Sequence, residues 1–227
     1  MNSPITQTGT HSTAHNDLSA ASASKVLRNT YSLLAMTLFF SAVTAGISMM
    51  FSLPHPGLLL TLVGYFGLLY ATAKFRNSSL GLIFVFALTG FMGYTLGPIL
   101  NSYLSLANGA EIVAMAMGST GIIFLGLSGY ALVTRKDFSF MGGFLMVGIL
   151  MGFIAGLAAV FLEIPALSLT VSSVFVLLMS GLILYETSNI IHGGETNYIM
   201  ATVTLFVSIF NLFTSLLHLL GFMNGEQ

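Results

Sequence analysis

The stretch YETSNIIHGGETNY, residues 185–198, carries Glu186, His192 and Glu195 in a 227-residue chain of which only 6% is charged. Glu186 follows directly on the apolar run LLMSGLILY. Its carboxylate therefore enters or borders a membrane-depth environment, where an unpaired charge costs roughly 2.5–3.5 kcal/mol or more. That cost makes Glu186 the candidate pH or ion sensor of the chain, against the plainer reading of an interfacial acid that snorkels to water or caps a helix. Downstream, Gly193 and Gly194 permit a sharp turn or partial re-entry, and His192 and Glu195 read as groups of a solvated loop. A second constellation lies in the last apolar run, where Thr204, Ser208, Asn211, Ser215 and His218 recur at intervals of four, three, four and three. That spacing puts all five on one helical face. Lipid cannot satisfy such groups, so the face must turn inward, either to bond neighbouring helices or to line a hydrated path or binding cavity.

Other chemistries lack the residues they need. The chain has no cysteine, which removes thiolate metal sites and thiol nucleophiles. His218 has no second histidine or acid spaced to complete a metal site, and His11 and His15 stand four apart in a segment without helical pattern. No phosphate loop, GxGxxG, HExxH or GxSxG motif occurs, so no catalytic set, metal or cofactor is expected and the chain is not read as an enzyme. Glu111 and Glu163 read as solvated acids, and Asp137 partly balances Arg135 and Lys136. A net charge of −1 without a basic cluster argues against nucleic acid.

The elements that hold these residues follow from composition. The chain is 56% hydrophobic with mean hydropathy +0.94, the makeup of an integral membrane protein. Crossing a hydrocarbon core takes about 20 largely apolar residues in a helix. The pattern predicts seven spans at about 31–53, 57–73, 79–98, 111–134, 139–161, 165–185 and 198–222, an all-α seven-transmembrane helix bundle. The first run is too long for a signal-peptide core and is expected to remain as a span. Lys25, Arg28, Lys74, Arg76, Arg135 and Lys136 fall before the first span and in alternate connections. The positive-inside rule then sets the N-terminus in the cytoplasm and, with seven crossings, the C-terminus outside. Residues 1–24, rich in Ser, Thr, Ala, Asn and His, are expected to form a disordered cytoplasmic tail, and residues 223–227 a short C-terminal one. Gly148, Gly152 and Gly156, and Gly90, Gly93 and Gly97, form small-residue rows that let helices approach closely, within the bundle or across a dimer interface. Pro98 is expected to end or kink the third span.

Three segments, KVLRNTY at 25–31, FMGYTLGPILN at 91–101 and above all YETSNIIHGGETNY followed by ATVTL, resemble the bacterial YccA-like branch of the Bax inhibitor-1 family. The likeness runs from about Lys25 to Phe222. It implies a multi-pass protein of the bacterial inner membrane that binds the membrane AAA+ protease FtsH and modulates its degradation of membrane proteins, with the N-terminal tail as the flexible end the protease engages. Other members of the family are pH-sensitive calcium-leak proteins whose sensor is an aspartate pair from the last two helices. In this sequence the first aspartate matches Glu186, but the second falls at Ser208. A lone carboxylate can neither share a proton with a neighbouring acid nor offer a divalent cation paired negative charge. The alternative reading, a cation or proton leak using Glu186, is weakened accordingly.

Overall fold

Apolar runs of this length leave the helix as the structure that satisfies its own backbone in lipid. The computed structural model describes the backbone of residues 10–225 and the side chains of residues 21–224, and among the described residues there is no strand. Seven helices follow in order: α1 Thr10–Met50, α2 Leu58–Lys74, α3 Ser79–Leu104, α4 Gly109–Thr134, α5 Gly142–Leu162, α6 Pro165–Ile191 and α7 Tyr198–Gly225. A short 3₁₀ turn, Ser139–Met141, leads into α5. Six of the helices are long and apolar enough to cross a membrane, and α2 is a shorter apolar helix of 17 residues. At the helical rise α2 is about 25 Å long, near the low end of what spans a hydrocarbon core. No described connection between helices is longer than the seven residues 51–57.

The last helix is the axis of the bundle. α7 packs against α1, α2, α3, α4 and α6, and Ala201, Leu205, Ser208, Leu212 and Leu217 on it are wholly buried. α5 is at the periphery, its backbone approaching, among the described residues, only α6 and the 3₁₀ turn. On the outer faces, Phe39, Ile122, Met146 and Leu177 are about three-quarters exposed, a cost in water that disappears in hydrocarbon.

Both small-residue rows are used inside the bundle. A Cβ at Gly93 would fall on the Thr44 hydroxyl and the Ser41 carbonyl, and one at Gly97 would lie 2.5 Å from Ser48 Cβ, so α1 and α3 touch through bare backbone. Gly148 and Gly152 face Leu178 and Phe175 of α6 in the same way.

Three boundaries differ from the sequence reading by more than four residues, and α7 also runs on to Gly225, into the residues 223–227 expected as a tail. α3 does not end at Pro98 but continues to Leu104. Proline has no N–H to give the carbonyl four residues back, and that carbonyl, Tyr94 O, receives the Ser48 hydroxyl of α1 at 3.0 Å instead. The α1–α3 contact thus repairs the break that proline makes. α6 runs on to Ile191, so Glu186 lies inside a helix rather than at the start of a connection. α1 already begins at Thr10, within the segment 1–24 that was expected to be disordered. Adding residues to a helix already nucleated by a membrane span is easy, especially through the alanines of SAASAS. Residues 1–9 and 226–227 and the side chains of His11 and His15 lie outside the described residues.

Ser48 and Pro98 should therefore behave as one unit. Ser48→Ala orphans a buried carbonyl and is expected to cost about 1–3 kcal/mol. In the Pro98→Ala background the helix can supply its own N–H and the cost should fall well below that. Thermal unfolding of the two single variants and the double variant in detergent measures the coupling, and additive effects would refute it.

Candidate functional site

The 185–198 stretch lies at the end of the bundle that also carries the basic connections, and it fastens that end together. Gly193, at φ +75°, takes the left-handed position just past the α6 C-terminus. The Gly194 and Glu195 amides both donate to the Asn189 carbonyl, at 2.9 and 3.3 Å. Asn197 caps α7, its Oδ1 accepting from the Ile199 and Met200 amides at 3.1 and 3.0 Å. Its Nδ2 donates to the Arg76 carbonyl and to Asn77 Oδ1, at 3.0 and 2.8 Å, which ties the α6–α7 connection to the α2–α3 connection. Glu195 is part of this cap, with Oε1 accepting the Asn197 N–H at 2.6 Å.

The α4–α5 connection is fastened from the same stretch. Ser188 donates its hydroxyl to the Lys136 carbonyl and accepts from the Phe138 amide, each at 3.0 Å. His192, a solvated-loop group in the sequence reading, is exposed, and its Nε2 lies 3.1 Å from the Arg135 carbonyl. Asp137 Oδ1 accepts the Ser139 N–H at 2.8 Å. The Ser139 backbone and hydroxyl hold the Asp137 carboxyl below its ordinary range, and the charge of His192 acts in the same direction. One layer deeper, the hydroxyls of Tyr31 on α1, Thr187 on α6 and Ser128 on α4 meet in a chain of 3.1 and 3.4 Å.

Glu186 sits in this layer, 4% exposed, with its Oε1 buried and without a hydrogen-bond partner. Thr30 Oγ1 on α1 is the other buried oxygen of this kind among the described residues. Ser208, where the resemblance sets the second acid of the channel-like relatives, is wholly buried and donates its hydroxyl to the Thr204 carbonyl at 2.7 Å. No hydrogen bond joins it to Glu186.

Two residues of the α7 stripe, Ser208 and Asn211, bond to carbonyls of their own helix. Asn211 Nδ2 donates to the Val207 carbonyl at 2.8 Å, and Ser215 is buried. Among the five stripe residues, only His218 has a described bond to another helix, sharing a hydrogen bond of 2.8 Å with Ser172 Oγ of α6. Asn211 borders a cavity of about 1030 Å³ between α2, α3, α5, α6 and α7. Its walls are largely apolar, with Thr61, Tyr65, Thr95, Ser139 and Tyr185 as further polar residues, and the Phe66 and Phe153 rings, 5.6 Å apart edge to face, bridge α2 to α5 across it. A smaller cavity of about 260 Å³ lies between α1, α3, α4 and α7, and Phe210 borders both. Among the described residues no group of three His, Asp or Glu side chains gathers as a metal site.

Reasoning from ionisable residues missed Thr187, Ser188 and Asn197. Asn197 was findable, since Asn just before an apolar helical run is a cap signal. Ser188 was findable only as the residue four before His192.

A helical bundle around a central span, with one buried unpaired carboxylate and an interhelical cavity, defines a polytopic membrane protein. The sequence model described as "Inhibitor of apoptosis-promoting Bax1" matches residues 23–225, and the chain belongs to this family, the Bax inhibitor-1 family. It is 57% identical to the "Modulator of FtsH protease YccA" of Escherichia coli strain K12, over 95% of this chain and 98% of that protein. It is 53% identical to a Pseudomonas aeruginosa protein over 90% of this chain and 92% of the relative. A Neisseria meningitidis protein is 37% identical over 93% and 97%.

Because Glu186 Oε1 has no partner, exchange for an apolar group of similar size removes an unsatisfied buried group. Glu186→Leu is expected to leave thermal stability unchanged or to raise it by ~1–3 kcal/mol. A loss of stability in a detergent melt would show that the carboxylate holds the bundle together.

Proposed function

We propose that this chain is an inner-membrane regulator that binds an FtsH-type protease and modulates its degradation of membrane proteins. The observation that carries this is the 57% identity, along nearly the whole of both chains, to a protein named as a modulator of that protease; the same sequence relation extends to an "Inner membrane protein YccA".

The shape of the chain is compatible with engagement from an end. Between helices there are only short connections, and several are fastened to their neighbours. α1, by contrast, has 41 residues, far more than the about 20 a span requires. Its N-terminal part, which carries Lys25 and Arg28, is therefore longer than a span needs and offers an end outside the packed bundle. The alternation of the six basic residues supports a cytoplasmic N-terminus and an outer C-terminus.

Co-purification of the full chain with FtsH from membranes is the first expected result, and its absence sinks the reading. Removing residues 2–20 should slow turnover of the chain by the protease and weaken its effect on a model membrane substrate. Unchanged turnover and unchanged effect would exclude the N-terminal segment as the point of engagement.

A second reading, a pH-sensitive cation leak, draws on the buried unpartnered carboxylate of Glu186 and the cavity bordered by Asn211. Proteoliposomes should then show cation flux that varies between about pH 5 and 8 and is altered by Glu186→Gln. Absence of flux, or flux indifferent to that substitution, rejects it.

A further inference from the structure

Protein interiors are close-packed, with few voids larger than a water molecule. The cavity of about 1030 Å³ between α2, α3, α5, α6 and α7 departs from that rule. It matches the largest sites that take a whole organic molecule, about 300–1,000 Å³. Its opening is on the side of the bundle. Among the described residues the α2 and α5 backbones do not approach each other, and the Phe66 and Phe153 rings reach across the gap. Met146 and Leu150 of α5 line the cavity and are nevertheless 75% and 59% exposed. Side chains that both line a cavity and meet the outside mark its mouth. They stand within an apolar helix long enough to span, so what lies outside the mouth is hydrocarbon.

Depth and polarity select the occupant. From Gly142 to Phe153 the part of α5 that lines the cavity rises by about 16 Å. That is roughly half of a hydrocarbon core of about 30 Å, the depth of one leaflet. The lined stretch begins at the basic end, where Tyr185 packs beside Gly142 and has no hydrogen-bond partner for its hydroxyl among the described residues. Elsewhere on the walls, Thr61, Thr95 and Asn211 spend a donor on carbonyls three or four residues back. What remains is too little to solvate an ion or a headgroup, whereas an alkyl chain loses nothing there.

Charge selects the head. Lys74 and Arg76 follow α2, and Arg135 and Lys136 precede α5, so a basic pair flanks each side of the mouth. Among the described residues none of these four side chains is in an ion pair. The acids at this end, Asp137 and Glu195, accept backbone amides instead. Uncompensated cations at the membrane surface attract anionic lipid. We propose that the cavity holds an acyl chain of an anionic phospholipid from the leaflet on the basic side, entering sideways between α2 and α5 with its headgroup between the two basic connections.

The chain has no tryptophan, so a single introduced one reports its own surroundings. Phe210→Trp, at the cavity wall on the central helix, is measured in the full chain in bilayers whose phospholipids carry bromine on the acyl chain, a quencher that acts on contact. Brominated phosphatidylglycerol should quench it, and brominated phosphatidylcholine at the same mole fraction should quench it less. Gly143→Phe with Leu150→Phe fills the mouth and should abolish the quenching. A side chain added at Gly143 meets no atom within 4 Å, so the bulk is accommodated. Arg135→Gln with Lys136→Gln should remove the difference between the two lipids and leave the quenching. Leu177→Trp, 74% exposed on the outer face, should be quenched by both lipids alike in every background. Absence of quenching at Phe210→Trp overturns the proposal, whether the cavity stays empty or takes an apolar segment of another protein. Equal quenching by the two lipids does the same. So does quenching that survives the filled mouth, which would reach Phe210→Trp through the smaller cavity it also borders. Should Phe210→Trp fail to fold, Phe175→Trp on the α6 wall takes the same reading.

Discussion

Hydrocarbon offers a backbone no hydrogen bond, and most of the polar detail in this bundle is an answer to that fact. Pro98 breaks the ladder of α3 at membrane depth, and the orphaned Tyr94 carbonyl is met by Ser48. For that hydroxyl to arrive, α1 and α3 must touch at Gly97, where no side chain intervenes. Other hydroxyls and amides return to their own helices: Thr72 to the Leu68 carbonyl, Thr120 to Ala116, Ser208 to Thr204 and Asn211 to Val207. Against this background of satisfied groups, the bare Oε1 of Glu186 stands out as a group that stability alone does not require.

The same constraint concentrates polar connections at the ends of the helices, and the two ends are unequal. At the basic end one stretch, 185–198, reaches both neighbouring connections. Asn197 takes hold of residues 76 and 77, and Ser188 and His192 take hold of residues 135 to 138. Gly193 provides the left-handed turn, and Asn197 with Glu195 starts the next helix. Nearly every residue of the stretch is thus occupied by geometry, which gives a physical reason for so long and specific a sequence signature. The ionisable groups within it do different work: Glu195 caps, His192 fastens, and Glu186 is buried a layer below.

Membership of the Bax inhibitor-1 family brings a contrast between shared architecture and a changed site. Where the resemblance sets a second acid, Ser208 spends its only proton on the Thr204 carbonyl of its own helix. A serine so engaged does not replace a carboxylate that could share a proton or a cation with Glu186. The bundle has a central helix, a buried acid and a large cavity, and position 208 offers that acid no second carboxylate. Those remaining parts suit a regulator whose surface or conformation matters at least as well as they suit a conduit.

Sequence alone determined the membrane class, the seven helices, the alternation of charge and the family, because each is written in local composition, run length or an uninterrupted motif. It also singled out Glu186, since an apolar run with a charge at its end is a one-dimensional pattern. It could not tell whether Pro98 ends the third helix, because the donor that meets Tyr94 O comes from residue 48 on another helix. It read His192 as a group of a solvated loop, and could not show the Arg135 carbonyl beside its ring, because that partner is 57 residues away in the chain. The α7 stripe follows from spacing along one helical face, but whether its polar groups cross to neighbours or turn back on their own carbonyls depends on how closely the surrounding helices pack. Distances between residues far apart in the chain are set by packing, and hydrogen bonds at 3 Å are decided at that scale; the tertiary structure alone could supply them.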